Sequence, residues 1–93
     1  MDKTLRKSLR TLEHARLVTL LKQERHRVGL TQHQLAQRLD SPQSFVAKYE
    51  GGERRLDLVE FIAIARAIEA DPLKLFARLL DPDGVEVAGD TVP

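Results

Sequence analysis

Apolar positions along this chain recur every three or four residues and are interrupted at short intervals by glycine, proline and capping residues, a rhythm that predicts a succession of short helices. From Thr11 the spacing of Leu17, Leu20, Leu21 and Val28, with Glu24 in the same register, predicts a first helix closed by Gly29. Residues 1–10 form a basic arm containing Leu5 and Leu9, a frayed lead-in to that helix. The second helix opens at Thr31, whose hydroxyl can cap free amides while Gln34, three residues later, bonds back. Leu35, Ala36 and Leu39 share its inner face. After a corner at Asp40, the third helix is predicted to start with Ser41 as cap and Pro42 at the first helical position, where a missing amide hydrogen costs nothing.

On a wheel at about 100° per residue, Phe45, Val46 and Tyr49 fall on one side of the third helix, and Gln43, Ser44, Ala47 and Lys48 on the other. The loop from Gly51 to Leu56 leads to a second capping pair, Asp57 and Glu60, at the head of LVEFIAIARAI. That fourth helix is apolar almost all round, so Phe61, Ile62, Ile64, Ala65 and Ile68 should form the centre of the fold. Asp71 and Pro72 start a fifth helix with Leu73, Phe76 and Leu80 on one stripe and Leu75 and Leu79 on a neighbouring one. A small domain seldom buries both stripes, and the surplus predicts a subunit contact through these five residues. DPDG then reads as a turn or stop, and the acidic segment 81–93 either stays unstructured or places Val85 and Val87 in a short strand.

The free face of the third helix offers an amide, a hydroxyl, a methyl and an amine on a rod about as wide as a B-form major groove, which are the groups that read base edges. The stretch LTQHQLAQRLDSPQSFVAKYE, with LLKQERHRVGL before it and YEGGERRLDLVEFIAIARAI after it, resembles the xenobiotic-response-element (XRE) type of helix-turn-helix protein, the family of Cro and the phage repressors. The likeness spans roughly residues 11–80. Many such proteins carry Gly at the corner where this chain has Asp40, a residue that tolerates the left-handed conformation better than most.

The resemblance implies an all-α, compact five-helix repressor-like domain that binds double-stranded DNA, and the apolar surplus on the fifth helix makes a homodimer the expected form. It places base readers at Gln43, whose amide can pair with adenine, at Ser44, and at Lys48, which can reach guanine or the backbone. Phosphate contacts fall to Thr31, Gln32 and His33 at the head of the second helix and to Arg54 and Arg55 in the loop after the third. An alternative for the two arginines is pairing with Glu53 or Asp57. The family commonly ties an Arg of the first helix to a Glu ending the third, which makes Arg25 and Glu50 a structural pair. A rival reading keeps the fold but makes protein binding its main role, as in an antitoxin or adaptor.

Composition narrows the chemistry further. Ninety-three residues suit one domain, and the absence of cysteine removes disulfides and thiolate metal sites. His14, His26 and His33 lack metal-ligand spacing, and Gly51-Gly52 lacks the strand and lysine of a phosphate-binding turn, so neither enzyme activity, metal nor cofactor is expected. With no apolar run long enough to span a bilayer and no signal-peptide core after the polar start, no membrane partner is expected and the expected location is the cytoplasm. The net charge of +1 conceals a segregation: residues 1–55 carry 12 Lys and Arg against 6 Asp and Glu (+6), residues 56–93 carry 3 against 8 (−5). The proposed DNA-facing elements lie in the basic part, where phosphate would be attracted.

Overall fold

The computed structural model describes the backbone of residues 3–81 and the side chains of residues 12–81. Five helices follow one another: α1 (Lys3–Arg27), α2 (Gln32–Arg38), α3 (Gln43–Glu50), α4 (Leu58–Ala67) and α5 (Pro72–Leu80), with no strand among the described residues. The fold is all-α, with α2 and α3 as the helix-turn-helix. Helix α1 begins at Lys3 rather than Thr11, so most of the lead-in is helical. The strand considered for Val85 and Val87 lies outside the described residues.

Helix starts follow the capping chemistry. Thr31 Oγ1 accepts from the Gln34 amide at 3.0 Å while Gln34 Oε1 accepts from the Thr31 amide at 2.9 Å, and Asp57 and Glu60 repeat the arrangement on α4. Asp71 accepts from the Leu73 amide to open α5. Helix α3 departs from expectation. The Ser41 amide closes α2 by donating to Ala36 O, and its hydroxyl donates to Leu39 O, so Ser41 belongs to the corner and caps nothing. Pro42 therefore takes the N-cap place in extended backbone, and α3 starts one residue later without a side-chain cap.

Four helix ends share one device. At each, a residue of positive φ directs its amide and the next one back onto the last turn: Gly29 (75°), Asp40 (54°), Gly52 (81°) and Glu69 (60°). Glycine adopts this conformation without a Cβ penalty, whereas at Asp40 and Glu69 an L side chain is held in the left-handed region. Arg38 reinforces the last of these ends, donating to Ala67 O at 2.8 Å and reaching Glu69 at 3.2 Å.

The core gathers Leu20 and Leu21 of α1, Leu35 and Ala36 of α2, Val46 and Tyr49 of α3, Phe61, Ile64 and Ala65 of α4, Ile68 just beyond it, and Leu75 of α5. Helix α4 is less enclosed than its composition suggests: Leu58 and Val59 are exposed and Ile62 is only half-buried, while Phe61, Ile64 and Ala65 face the core. On α5, packing against both α1 and α4 turns one apolar stripe inward. Leu75 is buried and Leu79 packs on the core, so of the five candidate subunit contacts these two serve the interior, leaving Leu73, Phe76 and Leu80 at the surface.

Candidate nucleic-acid interface

Helix α3 divides into two faces. Val46 and Tyr49 are fully buried, and Phe45 sits at the edge with its ring 5.4 Å from that of Tyr49. Gln43, Ser44 and Lys48 are exposed, with Ala47 half-buried between them. The outer surface is thus a row of short polar groups unobstructed by other described side chains, apart from one contact at Gln43.

That contact belongs to a chain of hydrogen bonds reaching from the outer face to the interior. Gln43 Nε2 donates to Gln32 Oε1 at 3.3 Å, and Gln32 Nε2 donates to Glu50 Oε1 at 3.0 Å. Glu50 receives Arg25 as a fork, Nε to Oε2 at 2.7 Å and Nη2 to Oε1 at 3.0 Å. The pair is enclosed, with 9% of the Arg25 side chain and 2% of that of Glu50 exposed. Arg25 Nη1 also donates to Leu30 O at 2.6 Å, so the guanidinium closes the α1–α2 turn while holding the end of α3. A buried pair of this kind requires such full satisfaction, since desolvated charges are costly when any part is unmatched. Gln32, expected at a phosphate, thus spends both ends of its side-chain amide inside the molecule, orienting Gln43.

The other expected phosphate contacts are distributed unevenly. Thr31 is occupied as the α2 cap, while His33 is exposed. Arg55 is exposed and forms no side-chain hydrogen bond or ion pair among the described residues. Arg54 differs from both sequence-based alternatives: it pairs neither with Glu53 nor with Asp57 but forks onto Glu60 of α4, at 3.0 and 2.8 Å, with its guanidinium 4.7 Å above the Phe45 ring. Hydrogen bonds from Arg54 and from the Asp57 amide hold the Glu60 carboxyl below its ordinary range. Arg54 therefore pins the α3–α4 loop to the first turn of α4, and its availability to a phosphate is correspondingly reduced. Glu60 was visible in the sequence only as a cap, because no local spacing rule connects it with a residue six positions earlier.

Two further buried polar groups bear on the site. Tyr49 Oη is enclosed with no hydrogen-bond partner among the described residues, and burial pushes its hydroxyl pKa well above the ordinary value. Glu24, behind the motif, receives Arg27 at 2.7 Å and Arg78 at 3.2 Å. Burial raises its pKa, but the hydrogen bonds and positive charges of Arg27 and Arg78 together outweigh burial and hold the carboxyl below its ordinary range. Among the described residues no group of three His, Asp or Glu comes together as a metal site, and no helix is long and apolar enough to cross a membrane.

Two short helices at a tight corner, the second locked by a buried ion pair and presenting a polar face, define the helix-turn-helix class of DNA-binding folds. The family model described as "Helix-turn-helix domain" matches residues 16–79. A solved structure, an XRE-family like protein from Pseudomonas syringae pv. tomato str. DC3000, is 40% identical and superposes with a TM-score of 0.82, covering 87% of this chain and 99% of its own. The chain belongs to the XRE-type helix-turn-helix family, whose architecture is that of a DNA-binding regulator. Among curated proteins no sequence matches it.

Proposed function

We propose that this protein is a sequence-specific transcriptional regulator, a repressor, working in the cytoplasm and binding double-stranded DNA as a homodimer. Helix α3 enters the major groove, where Gln43, Ser44 and Lys48 read base edges. His33 and the backbone amide of Gln32 at the head of α2, and Arg55 beyond α3, contact the phosphates and set the register, while the side chains of Thr31 and Gln32 stay with the α2 cap and Glu50. The observation that carries this reading is the hydrogen-bonded chain from Arg25 through Glu50 and Gln32 to Gln43. Gln43 uses one amide hydrogen internally and keeps the second, together with its carbonyl oxygen, for the N7 acceptor and N6 donor of an adenine. A reader held in place from behind loses less conformational freedom on binding than a free side chain.

In the dimer, two α3 helices about 34 Å apart enter successive major grooves of a pseudo-palindromic site. The exposed apolar residues Leu73, Phe76 and Leu80 of α5 supply the self-contact. Division of the chain into a basic arm (1–10), a DNA-binding domain (11–80) and an acidic tail (81–93) accompanies this reading. These exposed apolar residues of α5, and the exposed Leu58 and Val59 of α4, favour a second reading in which a protein partner is the main ligand. Selection of bound fragments from a random DNA pool separates the two. A recovered symmetric motif, with affinity falling steeply as salt rises, supports the dimeric regulator; no enrichment over the starting pool overturns it.

A further inference from the structure

A groove of about 430 Å³ runs between the outer half of α1 and the last turn of α5, away from the residues assigned to DNA. Leu12, Ala15, Leu20 and Leu79 give it an apolar lining, Arg16 and Arg78 supply its charge, and among the described residues no carboxylate lines it. Leu12 is 56% exposed, a large apolar side chain without cover. Both arginines have capacity to spare: Arg16 reaches Glu13 only at 3.8 Å, and Arg78 shares the single carboxylate of Glu24 with Arg27. Such a groove suits an extended segment that alternates apolar and acidic residues.

The chain supplies one where it is needed. Residues 82–93, directly after α5, carry Asp83, Glu86 and Asp90 and no Lys or Arg, with Val85 and Val87 flanking Glu86. Asp81-Pro82-Asp83-Gly84 has the residue order of a chain-reversing turn, with Asp first, Pro second and Gly fourth. The nine residues beyond it span about 30 Å when extended, against roughly 17 Å of helix from Leu12 to Gln23. The geometry points to the segment 85–92 docking back into the α1–α5 groove of its own chain. Val85 and Val87, on one face of an extended segment, meet Leu12, Leu20 and Leu79; Asp83 and Glu86 stand at the rim toward Arg78 and Arg16. Because α5 forms one wall of the groove, the segment starts at high effective concentration and needs little contact energy to stay.

The test uses the full chain with methyl labelling and amide hydrogen exchange. Nuclear Overhauser contacts between the methyls of Val85 or Val87 and those of Leu12 or Leu79 are expected at every protein concentration. Amide exchange around Val85 to Val87 should be slowed about tenfold relative to an open segment. Leu12→Glu should abolish both signals without lowering the melting temperature, since that side chain is more than half exposed. Arg16→Glu should weaken them, and adding Glu86→Arg should restore them, a rescue that a folding defect would not show. Unprotected amides and absent contacts in the parent chain overturn the proposal. So do contacts that appear only between differently labelled copies, which would make the occupant a second molecule.

Discussion

Replacing Arg25 with alanine is expected to lower the free energy of unfolding by about 3–5 kcal/mol, because it leaves the enclosed Glu50 carboxylate without its counter-charge. Arg25 makes three bonds that matter here, two to Glu50 at 2.7 and 3.0 Å and one to Leu30 O at 2.6 Å. The variant keeps only Gln32 on Glu50, at 3.0 Å, and a neutral amide cannot offset a desolvated charge. For a domain of this size each kcal/mol moves the melting temperature by roughly 4–8 °C, so a fall of at least about 12 °C should be seen. Urea unfolding followed by circular dichroism, with parent, Arg25→Ala, Glu50→Ala and the double variant, gives the coupling directly. The double variant should be more stable than the sum of the single losses implies, since removing both charges strands neither. Arg25→Ala within about 1 kcal/mol of the parent, with no coupling to Glu50, would refute the reasoning and make the pair a surface-type contact.

Gln43→Ala should cost about 1–3 kcal/mol at one base position only, whereas Arg55→Ala should weaken all sequences alike and reduce the salt slope by about one; affinities over a panel of single-base variants at several salt concentrations distinguish the two. Tyr49→Phe removes an enclosed hydroxyl that has no partner, so equilibrium unfolding should find the variant as stable as the parent or up to about 1 kcal/mol more stable; a loss of 2 kcal/mol would mean the hydroxyl is bonded. Glu69→Gly relieves a left-handed backbone and should raise the melting temperature by several degrees, about 1 kcal/mol, even though it gives up an exposed contact with Arg38. Glu24 has a folded pKa held below the ordinary carboxylate value, so its stabilisation is complete above that ordinary value and is lost as the pH falls through the depressed one. Melts between pH 7 and pH 3 should therefore show Glu24→Gln losing less stability on acidification than the parent, and an equal loss would assign the acid sensitivity elsewhere.

Local chemistry written in a few adjacent residues is legible in the sequence alone. The caps at Thr31, Asp57 and Asp71 and the stop at Gly29 depend on contacts within four or five residues, which spacing alone specifies. The division of α3 into buried and open faces was legible for the same reason, as periodicity along one helix. Two local signals compete at Ser41: it has the chemistry of an α3 cap, but its amide and hydroxyl close α2 instead, which moves the start of α3 by a residue. The helix end at Glu69 carried no signal, because a Glu in the left-handed region is disfavoured and is held there by the packing around α4.

By itself, then, the sequence determined helix order, the helix-turn-helix, and the polar face that α3 turns outward, since each follows from propensity, capping and period. Only the tertiary structure decided which apolar stripe of α5 is interior, that Arg54 belongs to Glu60, and that Gln32 links Glu50 to Gln43. Those partners are separated by 6, 18 and 11 positions in the chain, and their meeting depends on how helices cross in space. A charged or amide side chain has several acceptors within reach of its sequence neighbourhood, and only the packed arrangement, in which an unpaired buried polar group is costly, selects one.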